Sequence, residues 1–205
     1  MFAKKRERIP LITFDMADSG WITGEFNIGG IKHKFYISYL FGHINCLLER
    51  LHYMLYFEDE LDPMYWYVQE DRYQEFYGLD GKLYGEYDFL LEDEGDNTRV
   101  RIENKGEQIR IKVFHDAENK VVIDALCSKR DFIRDVVFSC DNIYRKYGIC
   151  GQRSRYYESP IIDIVMFLCL KAYVLGRPLR LRWNKKTERH TLLGAELDIL
   201  QAKLK

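Results

Sequence analysis

The chain has 205 residues, of which 47% are hydrophobic and 31% are charged, and its formal net charge is −1 at pH 7. This mixture excludes a disordered chain, and the length suits a single domain covering residues 1–205. The longest apolar stretch, Ile164–Leu170, is far shorter than the roughly 20 residues that a membrane-spanning helix needs. Five widely spaced cysteines and a basic start without an apolar run predict a reduced, cytoplasmic protein.

The charges are distributed unevenly along the chain. Between Tyr56 and Asp96 fourteen acids stand against two bases, whereas between Lys171 and His190 seven bases stand against one acid. An acidic segment that is rich in aromatic residues is suited to attracting a basic partner. Within the basic stretch, Arg180, Arg182 and Trp183 interleave charged and aromatic residues as nucleic-acid surfaces do. The slightly acidic chain does not favour nucleic-acid binding, and an amphipathic strand over Leu179–Trp183 explains the alternation equally well.

The first third of the chain predicts two strands and a helix. Trp21–Ile28 and Ile31–Ile37 are separated by Gly29-Gly30, a pattern typical of a two-residue hairpin turn. The apolar spacing then changes to that of a helix over Leu40–Phe57, with Ser38 as its N-cap.

The middle of the chain predicts a series of short strands separated by turn residues. Spacings of about 10 to 12 residues favour antiparallel pairing, because parallel strands need long crossover connections. The predicted strands are Met64–Glu70, Tyr73–Tyr77, Leu83–Leu91, Thr98–Glu103, Ile109–His115 and Val121–Leu126.

Helices return in the last third. An apolar stripe predicts a helix over Lys129–Tyr147 that ends at Gly148, Pro160 begins a second helix that runs to Leu175, and a third covers Leu192–Leu204. The predicted fold is therefore α+β, a curved antiparallel β-sheet (a meander) with helices packed on one face. The residues expected in its core are Phe35, Leu47, Leu51, Val100, Ile111, Ile123, Val136 and Phe167.

The sequence offers no recognisable catalytic, metal or cofactor site. His33 and His52 accompany apolar positions and are interpreted as structural residues, and His115 and Cys150 are the remaining candidates for acid–base or nucleophilic chemistry. Metal-ligand spacings, phosphate-binding glycine loops and nucleophile elbows are absent. We therefore expect a protein that is not an enzyme and needs no cofactor.

Several residue groups, taken in order, resemble a family of bacterial proteins that confer immunity to polymorphic and contact-dependent toxins. The likeness spans about Trp21 to Leu170. It is carried by Trp21-x-x-Gly24 with Phe26 and Ile28, Phe35 with Ser38-Tyr39-Leu40, Asp62-Pro63-x-Tyr65-Trp66, Asp131-Phe132, and Tyr147-Gly148 followed by Pro160. Met64 stands where that family has glycine, Trp66 comes one position early, and Tyr156-Tyr157 replaces an expected Trp.

The resemblance implies a cytoplasmic inhibitor that neutralises a cognate toxin, such as a nuclease, by direct occlusion. A toxin that cuts nucleic acid is generally basic, so we expect the acids to form the partner-binding site. The predicted residues are Glu86, Asp88, Glu92, Asp93, Glu94 and Asp96. Two alternatives stay open, a regulatory module that binds a small molecule or peptide, and an enzyme with an unrecognised site. The oligomeric state also stays open.

Overall fold

The fold is that of a computed structural model, which describes residues 8–17, 21–38, 43–56, 86–91, 98–115, 120–151, 161–177, 179, 182–184, 187–190 and 193–204. The strands in these ranges are β1 (Ile12–Met16), β2 (Trp21–Ile28), β3 (Ile31–Ser38), β4 (Glu86–Leu91), β5 (Thr98–Lys105), β6 (Gln108–His115), β7 (Lys120–Ser128), β8 (Arg182–Asn184) and β9 (Thr187–His190). The helices are α1 (His43–Tyr56), α2 (Lys129–Gly151), α3 (Ile164–Val174) and α4 (Leu193–Gln201).

The described strands form three antiparallel sheets, with the orders β1-β2-β3, β4-β5-β6-β7 and β8-β9. The predicted α+β class and antiparallel pairing are confirmed. The strands expected in one curved sheet are divided between the two larger sheets. Among the described strands, none forms backbone hydrogen bonds with the free edge of β3. The predicted strands Met64–Glu70 and Tyr73–Tyr77 lie outside the described residues.

The hairpin between β2 and β3 has the predicted two-residue turn. Gly29 and Gly30 have φ angles of 62° and 79°, and Ile28 and Ile31 are paired on either side of them. A tight hairpin turn of this kind requires positive φ at both central residues, which glycine adopts without a steric penalty. The Gly29-Gly30 dipeptide therefore determines the register of the whole hairpin.

A close approach between two strands explains Gly24 in the Trp21-x-x-Gly24 motif. Gly24 is paired with Phe35 across β2 and β3, and a Cβ atom at Gly24 would lie 2.2 Å from Phe35 Cζ. The Phe35 ring also packs against Phe26, with ring centroids 5.0 Å apart. Only a residue without a side chain leaves room for the Phe35 ring in this position.

A hydrogen bond between side chains links the two larger sheets. His33 lies in β3, and its Nε2 is 3.1 Å from Oγ1 of Thr98 in β5. Thr98 is buried, and a buried hydroxyl without a partner would cost about 1–3 kcal/mol. This contact agrees with the structural role predicted for His33.

Helix α2 covers the edge of the first sheet along β1, a strand that the sequence did not predict. The Leu11 N–H donates to Asp135 Oδ2 at 2.7 Å, and the Phe14 N–H donates to Ser139 Oγ at 3.2 Å. Arg8 donates to the other oxygen of Asp135. Burial raises the pKa of Asp135, although its contacts with Leu11 and Arg8 act to lower it. Side chains of α2 thus satisfy backbone groups that an open sheet edge would expose.

The start of helix α3 differs from its prediction. Helix α3 begins at Ile164 rather than Pro160, because Asp163 is its N-cap and Asp163 Oδ1 accepts from the N–H groups of Val165 and Met166 at 2.8 and 3.0 Å. Helix α1 is described from His43, and Ser38 is the last residue of β3. Residues 39–42 lie outside the described ranges, so the predicted start of α1 with Ser38 as its N-cap stays a prediction.

The predicted core is confirmed. Helix α2 contributes its apolar stripe up to the predicted end of the helix, where the backbone departs from helical geometry at Gly148. Each of the eight expected core residues is at most 2% exposed, namely Phe35, Leu47, Leu51, Val100, Ile111, Ile123, Val136 and Phe167.

A buried polar network joins α2, α3 and α4. Lys171 in α3 is fully buried, and its Nζ donates to Asp141 Oδ1 in α2 at 2.6 Å and to the Leu200 carbonyl in α4 at 2.9 Å. Arg145 donates to the other Asp141 oxygen at 2.7 Å and to the Ala202 carbonyl at 3.1 Å. Two cations therefore meet the carboxyl end of α4, where the helix dipole favours positive charge.

Candidate partner-binding surface

One side of the four-stranded sheet is lined by charged residues. Val100, Ile102, Ile109, Ile111 and Val113 point to the other side and are buried, so the residues that alternate with them share the opposite side. We call this side the charged face and define it by Arg99, Arg101, Glu103, Lys105, Arg110, Lys112, Phe114, Asp124 and Leu126.

Glu103 organises the middle of the charged face. Its side chain is almost covered, at 6% exposed, and its two oxygens contact Lys112 Nζ at 2.9 Å and Lys105 Nζ at 3.0 Å. Glu103 therefore neutralises one of the two lysines that it contacts.

A bidentate ion pair between Arg110 and Asp124 lies at the β7 side of the charged face. Arg110 Nε and Arg110 Nη2 donate to the two oxygens of Asp124 at 2.6 and 2.8 Å. The hydrogen bond from Arg110 lowers the pKa of Asp124, and the charge of Lys112 acts in the same direction. Bidentate geometry fixes the orientation of the guanidinium. Asp124 is therefore a fixed negative charge within a largely basic surface.

An arginine–aromatic pair and an exposed leucine complete the charged face. Arg99 and Phe114 are paired across β5 and β6, and Arg99 Cζ lies 4.3 Å from the centre of the Phe114 ring. Leu126, in β7, is 55% exposed. Arginine and aromatic side chains are enriched among the residues that dominate binding energy at protein interfaces. The face thus combines charge with a small apolar area.

Strand β4, which contains two residues of the predicted acidic site, pairs with β5 at the edge of the charged face. In β4, Glu86 is paired with Glu103 and Asp88 is paired with Arg101. The other four predicted residues, Glu92, Asp93, Glu94 and Asp96, lie outside the described residues, in the chain between β4 and β5. The structure therefore places the two described acidic positions beside a strand that contributes arginines.

Sequence analysis did not identify the cations of the charged face. The sequences Arg99-Val100-Arg101-Ile102 and Ile109-Arg110-Ile111-Lys112 alternate strictly between basic and β-branched residues. That alternation predicts strands with one basic side, and pairing β5 with β6 places the two basic sides together. The acids are clustered in one segment, between Tyr56 and Asp96, whereas these cations are distributed over two strands.

Three of the described cysteines, Cys127, Cys140 and Cys169, are poor candidates for nucleophiles. The Cys150 side chain lies outside the described residues. Burial raises the pKa of Cys127 to about 12, and burial also raises the pKa values of Cys140 and Cys169. A thiol that stays protonated near neutral pH attacks slowly.

Within the described ranges, no group of three or more His, Cys, Asp or Glu residues is arranged so that it could hold a metal ion. No helix there is both long enough and apolar enough to cross a membrane.

Comparison of the chain with protein-family models, curated proteins and solved structures finds no match.

Proposed function

We propose that this protein binds a protein partner and neutralises it by occlusion, as a bacterial immunity protein neutralises a toxin in the cytoplasm. The observation that carries the proposal is the charged face, on which opposite charges stand in a defined order. The resemblance of Trp21–Leu170 to immunity proteins supplies the class of partner.

The order of charges favours recognition of a macromolecule that carries a complementary pattern. Asp88, Arg101, Lys112 and Asp124 follow one another across β4, β5, β6 and β7, so that two cations stand between two acids. Complementary patterns increase association rates and reject partners with the wrong charge. The acid-rich segment from Glu86 to Asp96 would meet the basic part of the partner.

A binding role also requires residues that hold the complex together after encounter. Arg99 stacked on Phe114 is a preorganised contact, since the ring limits the motion of the guanidinium. Leu126 is exposed on the same face and could be covered by a partner. Such anchors slow dissociation, whereas the surrounding charges mainly affect association.

Binding is favoured over nucleophilic catalysis by cysteine because burial holds three of the described thiols protonated. A nucleophilic cysteine needs a lowered pKa, and those of Cys127, Cys140 and Cys169 are raised.

The test is co-purification with the product of the gene immediately upstream, followed by affinity measurement. The triple variant Glu92→Lys, Asp93→Lys, Glu94→Lys removes the acidic segment, and the double variant Arg101→Glu, Lys112→Glu reverses the cations beside it. We expect the triple variant to lose at least about 2 kcal/mol of binding free energy if one acid is a buried, paired contact, and less if the acids only steer.

The salt dependence of the affinity distinguishes a buried, paired contact from long-range steering. Affinities are measured at about 0.1 M and about 1 M salt, where the screening length falls from about 10 Å to about 3 Å. The control Glu25→Lys, Lys32→Glu exchanges an exposed ion pair on the first sheet and should bind like the wild type. Equal affinities of wild type and triple variant at both salt concentrations would remove the acids from the mechanism. Failure of the wild type to bind the upstream product would remove the immunity role.

A further inference from the structure

A groove of about 840 Å³ lies where α2, α3 and α4 meet. Its walls come from the first turns of α2, the end of α3, and the last turn of α4 with the residues that follow it. This volume falls within the roughly 300–1,000 Å³ that is usual for small-molecule sites. None of its residues belongs to the charged face, so an inference from this three-helix groove does not depend on the proposed function.

Positive charge predominates among the residues that line the groove. The acids are Asp131 and Asp198. The cations are Arg130, Arg134, Arg177 and Lys203.

Two of the four cations are already committed to internal contacts. Arg134 is 3.4 Å from Asp131, and Arg130 donates to the Val174 carbonyl at 3.2 Å. Arg177 and Lys203 are exposed and form no ion pair with any residue in the described part of the chain. Their charges are therefore available to a ligand.

Capping of the helix ends does not explain Arg177 and Lys203. The carboxyl end of α3 is closed by its own backbone, because the Gly176 N–H donates to the Tyr173 carbonyl and the Arg177 N–H to the Ala172 carbonyl. At the end of α4, the carbonyls of Leu200 and Ala202 accept from Lys171 and Arg145. Arg177 and Lys203 are therefore not required to cap the helix ends at the groove.

An apolar wall stands beside these charges. Val174, Leu175 and Leu204 line the groove and are partly buried. A ligand that fits must therefore carry an anionic head and an apolar body of modest size.

We propose that the three-helix groove binds a small organic anion. Its phosphate or carboxylate group is held by Arg177 and Lys203, and its apolar body lies against Val174 and Leu204. Arginine binds either head group through paired N–H donors, so the head group is decided by experiment.

The experiment titrates the full chain with four probes, monitored by NMR chemical shifts and calorimetry. Phenyl phosphate and benzoate carry both features, inorganic phosphate has only the head, and benzyl alcohol has only the body. We expect saturable binding of phenyl phosphate or benzoate with a dissociation constant below about 10 mM. The tighter of the two identifies the head group, and the other two probes should bind more weakly.

Variants locate the site. Arg177→Gln with Lys203→Gln should weaken binding of the tighter probe at least about tenfold, since each charge-assisted hydrogen bond contributes substantially. Lys34→Gln with Lys120→Gln removes two exposed cations from β3 and β7 and should leave the affinity unchanged. Three results would each overturn the proposal: no saturable binding, equal affinity in the groove variant and the wild type, or benzyl alcohol binding as tightly as the anions.

Discussion

Lys171 Nζ lies 2.6 Å from Asp141 Oδ1, and both side chains are buried, with exposures of 0% and 7%. The same ammonium donates to the Leu200 carbonyl, so this one pair connects α2, α3 and α4. A buried charge is tolerated only when it is paired and hydrogen-bonded, and here both conditions are met. The position of α4 therefore depends on a contact made by two residues outside it.

Lys171→Met should destabilise the protein by about 3–5 kcal/mol, because it leaves Asp141 buried with Arg145 as its remaining counter-ion. Urea denaturation measures the change in the free energy of unfolding. Combining it with Asp141→Leu should cost less than the sum of the two single substitutions, since the double variant buries neither the carboxylate nor the ammonium without the other. Strict additivity would contradict a direct coupling between these residues.

Gly24→Ala should destabilise the protein by about 1–3 kcal/mol, because the new methyl group would overlap the Phe35 ring. Gly194→Ala is the matched control. No atom lies within 4 Å of a Cβ at Gly194, which is in the first turn of α4, so helix propensity should make that variant up to about 1 kcal/mol more stable. If both variants shift the melting temperature in the same direction, steric exclusion at Gly24 is wrong.

Asp124 should titrate below its ordinary pKa of 3.8, because Arg110 donates hydrogen bonds to the ionised carboxylate. A folded-state pKa lower than the unfolded one means that the pair stabilises the fold above the unfolded pKa. This contribution is lost as the pH falls through the folded pKa. Carboxyl-carbon NMR measures the titration directly.

Arg110→Gln should return the pKa of Asp124 towards 3.8. Lys112→Gln should move it less, since Lys112 acts on Asp124 only through its charge. A larger shift from Lys112→Gln than from Arg110→Gln would reverse this assignment.

All five cysteines should react as free thiols when the protein is denatured without reduction. In the native protein at pH 8, Cys127 and Cys140 should be protected because burial raises their pKa values and excludes the reagent. A Cys127→Ala variant should therefore show the same number of rapidly reacting native thiols as the wild type. Fewer than five thiols in the denatured, unreduced wild type would reveal a disulfide.

Local features of the chain were enough to predict much of the fold. Gly29-Gly30 predicted the β2–β3 turn because a two-residue hairpin needs positive φ at both positions. The alternation in β5 and β6 and the helical spacing around Leu47 and Leu51 predicted which residues are buried. These features depend only on the periodicity of a strand or helix, which the sequence displays directly.

Other local predictions failed where a contact distant in sequence prevailed. Pro160 was a reasonable helix start, but α3 begins at Ile164 after its N-cap Asp163, whose N–H donates to Asn45 Oδ1 at 2.6 Å. Strand β1 has only five residues, which alternate between apolar and polar, and the side chains that cover its edge are Asp135 and Ser139, more than 120 residues away. The alternation of a short strand does not show which distant residues will contact it.

Short-range spacing along the chain is sufficient to predict the α+β class, the antiparallel pairing, the hairpin turn and the core residues. The division of the strands into separate sheets and the pairing of Lys171 with Asp141 are visible only in the folded protein. The same is true of the face that the arginines and lysines of β5 and β6 share, with the β4 acids in register beside them. Charges interact through space, and the register of the strands determines which charges become neighbours.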